Sequence, residues 1–233
     1  MSTGTVSRVP GARESAVEMG SPARARRRYR GATPDERRAV RHEQLMEAGL
    51  ELFGTQGFRN TSVRAVSAAA SLNSRYFYES FASREALLSS VYQRILGEIV
   101  TEVAKAVTAA DTIEDRARAG LRAGWTILTD DPRKARIVAL EVVGVSDELE
   151  GLRRQSRQAL AKITTEQALS LMPEDRRLIM DPALVARALM GGVVELLLGW
   201  IHGDVDHSVD EVVEHLTRLF TTAAYASVES VER

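Results

Sequence analysis

Two short helices and a tight turn are written into Thr61-Ser-Val-Arg-Ala-Val-Ser-Ala-Ala-Ala-Ser-Leu-Asn-Ser-Arg-Tyr-Phe-Tyr-Glu-Ser-Phe81. Asn60, Thr61 and Ser62 form a capping cluster, and Val63, Val66 and Ala69 or Ala70 follow at helical spacing. Ala70-Ser71-Leu72-Asn73 breaks that helix, and Asn73 can cap a second one, Ser74 to about Glu79, which buries Phe77. Such a pair has the geometry of a helix-turn-helix, whose second helix fits the roughly 12 Å major groove of B-DNA. On that helix Arg75 can donate twice to a guanine edge or bind phosphate. Asn73 and Ser74 offer donors and acceptors, while Tyr76 and Tyr78 offer hydroxyls to phosphate oxygens. Thr61 and Ser62, at the preceding helix start, would present free backbone N–H groups to a phosphate. An ordinary αα-hairpin has the same spacing, so the pattern alone leaves both readings open.

The flanking sequence is helical in both directions. Upstream, Thr33-Pro34-Asp35-Glu36 supplies a cap, a Pro at the first helical position and an acid that can reach back to the cap. Leu45, Ala48, Gly49, Leu52 and Phe53 then form one apolar stripe, and Gly54 and Gly57 let the chain turn. Downstream, Ser83 caps a long helix with Leu87, Leu88, Val91, Tyr92 and Ile95 on one side, running toward Ala110. Further helices are expected to start at Thr112, at Asp131-Pro132, near Ser146 to Glu148, at Asp181-Pro182, and at the capping box Ser208-x-x-Glu211. No alternating strand signature appears, so the fold class is all-α. The expected domains are a disordered basic arm (1–32), a three-helix helix-turn-helix domain (33–81), a connecting helix (82–110), and a helical ligand and dimerisation domain (111–233).

Charge is distributed unevenly although the net is only −1. Residues 1–95 hold 15 Arg against 9 acids, net +6, and the remainder holds 16 Lys plus Arg against 23 acids, net −7. That asymmetry points to a polyanion met by one end of the chain. Arg24, Arg26, Arg27, Arg28 and Arg30 make the arm basic. With 44% hydrophobic residues the chain has enough apolar surface for a buried core, which excludes a wholly disordered protein. Zero Cys excludes a disulfide scaffold, an iron–sulfur protein and a thiol nucleophile. The apolar stretch Gly191 to Ile201, interrupted by Glu195, falls short of the roughly 20 residues of a bilayer span, and no secretory h-region follows Met1. A cytoplasmic location with no membrane contact is the expectation.

The segment Thr61 to Phe81, continued by Ala-Ser-Arg-Glu-Ala-Leu87, resembles without a gap over 27 positions the DNA-binding signature of the TetR-type transcriptional regulators. The resemblance implies a dimeric, all-helical regulator, typically a repressor, with a variable C-terminal ligand and dimerisation domain. It implies phosphate contacts at Thr61 and Tyr78, base or backbone contacts at Ser74, Arg75 and Tyr76, and a basic role for Arg84 at the start of the fourth helix. Three positions depart from the pattern. Ser71 stands where the family turn usually has Gly, which matters if that residue needs a positive φ. Glu79 replaces a common His and Ser80 a common Tyr. A carboxylate beside the duplex repels phosphate unless it accepts from a cytosine amine or an arginine.

For the C-terminal half, Val193, Leu197 and Trp200 on the penultimate helix and Val212, Leu216 and Phe220 on the last are expected to form a four-helix dimer seam, with intramolecular core packing as the alternative. Trp125, Leu128, Leu140, Glu141 and Met190 are the candidates for a small-molecule pocket. His202, His207 and His215 with Asp204 and Asp206 could be imagined as a metal cluster, but the tract reads more simply as a polar loop before a cap. With no phosphate loop, nucleophile elbow or paired-carboxylate motif, no enzyme, metal or cofactor is expected. The expected partners are an operator duplex, a second copy of the chain, and a hydrophobic or amphipathic effector. The competing reading is a helical small-molecule-binding or scaffold protein without specific DNA binding.

Overall fold

The structure is a computed structural model that describes residues 33–172 and 177–229. The expected basic arm lies outside the described residues. The described residues fall into two units, one holding 33–39 and the other running from 40 to 229. In the first, Thr33 Oγ1 accepts from the Glu36 N–H at 3.2 Å, and Glu36 Oε2 accepts from the Thr33 N–H at 2.6 Å. This reciprocal cap starts α1 (Pro34–Thr55).

The second unit holds the rest of α1 and eight further described helices: α2 (Val63–Ala69), α3 (Ser74–Ser80), α4 (Arg84–Thr108), α5 (Ile113–Asp130), α6 (Pro132–Arg136), α7 (Asp147–Leu169), α8 (Pro182–His202) and α9 (Val209–Ala226). A 3₁₀ turn, Phe58–Asn60, precedes α2. Each of these eight begins where a short polar side chain satisfies a first-turn N–H: Ser62, Asn73, Ser83, Thr112, Asp131, Ser146, Asp181 and Ser208. The fold is all-α, apart from a two-residue antiparallel ladder that pairs β1 (Arg177–Leu178) with β2 (Val228–Glu229). No periodicity can announce a strand of two residues.

Leu45, Phe53, Phe77, Leu87, Leu88 and Ile95 are fully buried and join α1, α3 and α4 in one core. The α5 helix packs along both α4 and α9, and α7 packs on α8. The helix expected from Asp131-Pro132 is only five residues long. It continues as a π turn, Ile137–Glu141, of the kind that concentrates at functional positions. The α8 helix corrects the expectation that the apolar stretch is too short for a span: it has 21 residues, is long and apolar enough to cross a membrane by length and composition, and 11% of its apolar window is buried in the chain. Its inner residues Val193 and Leu197 line a cavity, which accounts for part of that apolar character.

Candidate nucleic-acid interface and internal cavity

Val66 of α2 and Phe77 of α3 are fully buried, and this fixes the two short helices against α1 and α4. The turn between them requires the left-handed region at Ser71, whose φ is 55°. The Leu72 N–H donates to the Ser67 carbonyl at 2.8 Å and locks that turn. Ser71 therefore occupies the backbone conformation for which glycine is preferred. Beyond it, Asn73 Oδ1 accepts from the Arg75 N–H at 2.9 Å, so Asn73 caps α3 from an exposed position.

The α3 helix turns Arg75, Tyr76 and Tyr78 to solvent and leaves Ser74 half-buried. The Arg75 side chain is 84% exposed. Its Nε donates to Glu79 Oε1 at 3.1 Å, and the other Glu79 oxygen pairs with Arg41 of α1 at 3.6 Å. The Arg41 guanidinium lies 4.5 Å from the Tyr76 ring centre. Glu79 thus meets the condition under which an acid is tolerated beside a duplex, since it accepts from arginines. Arg41, 34 residues before Arg75 in sequence, carries no local signal for this role.

Two expected DNA contacts look inward. Thr61 is 1% exposed; its N–H donates to Phe58 O at 3.2 Å and its hydroxyl to Gly57 O at 2.8 Å, so it has no free N–H for a phosphate. Ser62, in contrast, is exposed at the cap of α2, where its hydroxyl accepts from the Ala65 N–H at 3.1 Å. Arg84 is half-buried. Its Nη1 donates to the carbonyls of Phe58 and Thr61, and its guanidinium sits 4.7 Å over the Phe58 ring. Those partly buried carbonyls need a donor, and Arg84 supplies it, so its charge is engaged inside the domain.

An apolar cavity of about 220 Å³ lies among α4, α5, α7 and α8. Trp125, Leu128 and Met190 line it, as do Ile99 of α4 and Val138 of the π turn. Arg116 is the one charged side chain in its described lining. The Arg116 Nε donates to Ala110 O, and its Nη1 to Gln167 Oε1 and Ser170 Oγ, each at 2.9 Å.

Leu140 and Glu141, expected beside Trp125, do not line this cavity. They face a separate polar cleft with Gln56, Gly57 and Phe58, because the π turn rotates them away from Val138. The Glu141 carboxylate accepts from the Phe58 N–H at 2.7 Å and from Arg136 Nε at 2.8 Å. It is a bracket between the C-terminal helices and the segment that leads into α2. Beside it, a Cβ on Gly54 would stand 2.3 Å from Arg133 Cβ, so α1 and α6 approach as closely as only glycine permits.

The expected dimer residues divide in the same way. Leu197, Val212, Leu216 and Phe220 are 3%, 5%, 2% and 8% exposed within the single chain. They pack inside their own chain and cannot also present a surface to a partner. Val193 and Trp200 are half-buried. The outward faces of α8 and α9 carry other residues: Leu184 (65% exposed), Leu219 (53%) and Tyr225 (57%). Gly191 and Gly192 are also exposed on α8, with nothing within 4 Å of where a Cβ would stand. His202 at the end of α8, His207 in the following loop and His215 on α9 form no metal-binding group among the described residues.

Two short helices joined by a tight turn, the second of them exposed and arginine-bearing, have the geometry of a helix-turn-helix. Residues 45–91 match the family model of bacterial regulatory proteins, tetR family. Solved structures similar in fold include the fatty acid degradation regulator FadR from Bacillus halodurans, 17% identical over 77% of this chain and 94% of that one, with a TM-score of 0.68. FadR from Bacillus subtilis in complex with stearoyl-CoA is 18% identical over 78% and 98%, with a TM-score of 0.66. A TetR-like transcriptional regulator from Rhodococcus sp. RHA1 is 22% identical over 80% and 97%, with a TM-score of 0.64. No curated protein matches the chain. Residues 45–91, which include α2 and α3, are thus similar to the bacterial regulatory proteins of the tetR family, and the chain shares its fold with these solved regulators.

Proposed function

We propose that the protein is a homodimeric, cytoplasmic repressor that binds a palindromic operator and releases it when a hydrophobic or amphipathic effector fills the cavity. The observation that carries this reading is the π turn Ile137–Glu141. Val138 lines the cavity, and three residues on, Glu141 holds the Phe58 N–H at the entrance to the helix-turn-helix. An effector that displaces Val138 acts on the same turn that braces the DNA-binding segment, and two packings of that turn give two states for a ligand to choose between. An almost wholly apolar lining suits a hydrocarbon chain, and the fold neighbour solved with stearoyl-CoA supports that class of effector.

The dimer we propose uses the outward faces of α8 and α9, where Leu184, Leu219 and Tyr225 lack cover and Gly191 and Gly192 permit close approach. It would set two α3 helices about one turn of DNA apart, some 34–36 Å. Ser62, Asn73, Ser74, Arg75, Tyr76 and Tyr78 then form the contact surface of each half-site. Residues 33–81 act as the DNA-binding domain, 82–110 as the connector, and 111–233 as the effector and dimerisation domain.

Selection of bound duplexes from a random pool, with and without stearoyl-CoA, tests the reading. The expected result is an enriched palindrome whose capture the acyl-CoA lowers. No enrichment under either condition would favour a helical small-molecule-binding protein without specific DNA binding.

A further inference from the structure

We infer that Glu79 is a positioning residue: it aims Arg75 at a guanine edge and so sets the base preference at one step of each half-site from one turn further along α3. The inference rests on the reading of α3 as the DNA-contacting helix. An arginine 84% exposed at a helix surface samples many rotamers, and ordering it on a base costs conformational entropy. Glu79 removes part of that freedom in advance. Its Oε1 accepts from Arg75 Nε at 3.1 Å. Nε is the only side-chain nitrogen of Arg75 that donates a hydrogen bond among the described residues, so both terminal nitrogens remain as donors for the O6 and N7 acceptors that distinguish guanine.

The carboxylate is itself held. Its second oxygen faces Arg41 at 3.6 Å, the Arg41 side chain is only 15% exposed, and the Arg41 guanidinium rests on the Tyr76 ring at 4.5 Å. Arg41, Glu79 and Arg75 form a line from the body of α1 to the tip of the exposed arginine. An isolated surface ion pair is weak in water. Docking on a duplex excludes that water, and the held geometry becomes worth more there than in the free protein.

Positioning and simple repulsion predict opposite signs, which makes the inference testable on the full-length chain. Glu79→Ala should weaken binding to the selected operator by a factor of about ten and flatten the preference for guanine at one position per half-site, the order of a partly lost bidentate contact. The same variant should bind random duplex two- to fivefold more tightly, roughly, because one carboxylate has left a surface that meets phosphates. Glu79→Gln keeps an oxygen for Arg75 Nε and should fall between wild type and Glu79→Ala on the operator. In an Arg75→Ala background, Glu79→Ala should cause no further loss of specificity.

Tighter binding of Glu79→Ala to both duplexes would show that the carboxylate only repels DNA, and unchanged binding to both would remove it from the interface. Equal losses on operator and random duplex would mean that it merely supports the domain. Each of these outcomes overturns the inference. Failure of the wild-type chain to enrich any duplex would instead overturn the reading of α3 itself.

Discussion

Ser71→Gly should stabilise the protein. The residue sits at φ 55° in the turn between α2 and α3, the only non-glycine described in that region. An L-residue in the left-handed region costs about 1–2 kcal/mol relative to the right-handed one. Glycine escapes that strain but loses more backbone freedom on folding, about 0.5–1 kcal/mol. The net gain is therefore roughly 0.5–1 kcal/mol. Nothing else is given up: the Ser71 side chain is exposed, and the hydrogen bonds of the turn, Ser71 N–H to Ala68 O and Leu72 N–H to Ser67 O, belong to the backbone. For a chain of 233 residues the change corresponds to a rise in Tm of about 1–4 °C. Urea unfolding read by circular dichroism gives the same quantity as a shift in midpoint at constant slope. Operator affinity should stay as it was, since the turn already has the conformation glycine prefers. Ser71→Val supplies the control, because a β-branched side chain is the worst fit to a positive φ and should cost more than serine. A valine variant as stable as wild type, or a glycine variant less stable than serine, would refute a left-handed turn at this position.

Four other outcomes are expected. Leu216→Glu buries a charge at a site 2% exposed and should unfold the chain, whereas Leu219→Glu, at a site 53% exposed, should leave circular dichroism unchanged, give monomers in sedimentation, and lower operator affinity roughly a hundredfold or more. Gly124→Leu points a side chain into the cavity, where a Cβ would meet Val103 at 3.6 Å and Ile99 at 3.8 Å; the variant should keep its operator but no longer respond to acyl ligand in the same titration. The Arg133 guanidinium hydrogen-bonds the Asp131 carboxyl and holds it below the usual carboxylate range, so this pair adds stability at neutral pH that disappears as pH falls below about 4. Asp131→Asn, which can still cap α6, should therefore lose stability at pH 7 yet match wild type in strong acid, and Asp131→Ala should lose about 1 kcal/mol more at either pH, as urea titrations at the two pH values can show. Deleting residues 1–30, with five Arg between 24 and 30, should flatten the dependence of DNA affinity on salt by about 0.9 log unit per lost phosphate contact; an unchanged slope would mean that the arm never meets DNA.

What the sequence determined by itself is local. A serine, threonine, asparagine or aspartate with free first-turn N–H groups after it specifies a helix start within a residue or two, and the caps at Thr33, Ser62, Asn73, Ser83, Thr112, Asp131, Ser146, Asp181 and Ser208 were all legible for that reason. The stripe Leu45, Leu52, Phe53 and the lone Phe77 likewise identified the faces of α1 and α3 that are buried, because each of these helices has only one apolar side. Tertiary structure decided everything that depends on which neighbour an apolar or charged side chain meets. Val212, Leu216 and Phe220 form a stripe that could equally cover a partner or the chain's own α5, and α5 takes it; no spacing within α9 carries that information. Arg84 is engaged by carbonyls more than 20 residues earlier, and Arg75 is tied through Glu79 to an arginine on α1. One extra residue in the turn at Ile137–Glu141 sends Val138 to the cavity and Glu141 to Phe58. A cap is a contact between residues three apart, which a pattern can encode, whereas a cavity wall or an ion pair between helices is a contact between surfaces that only packing brings together.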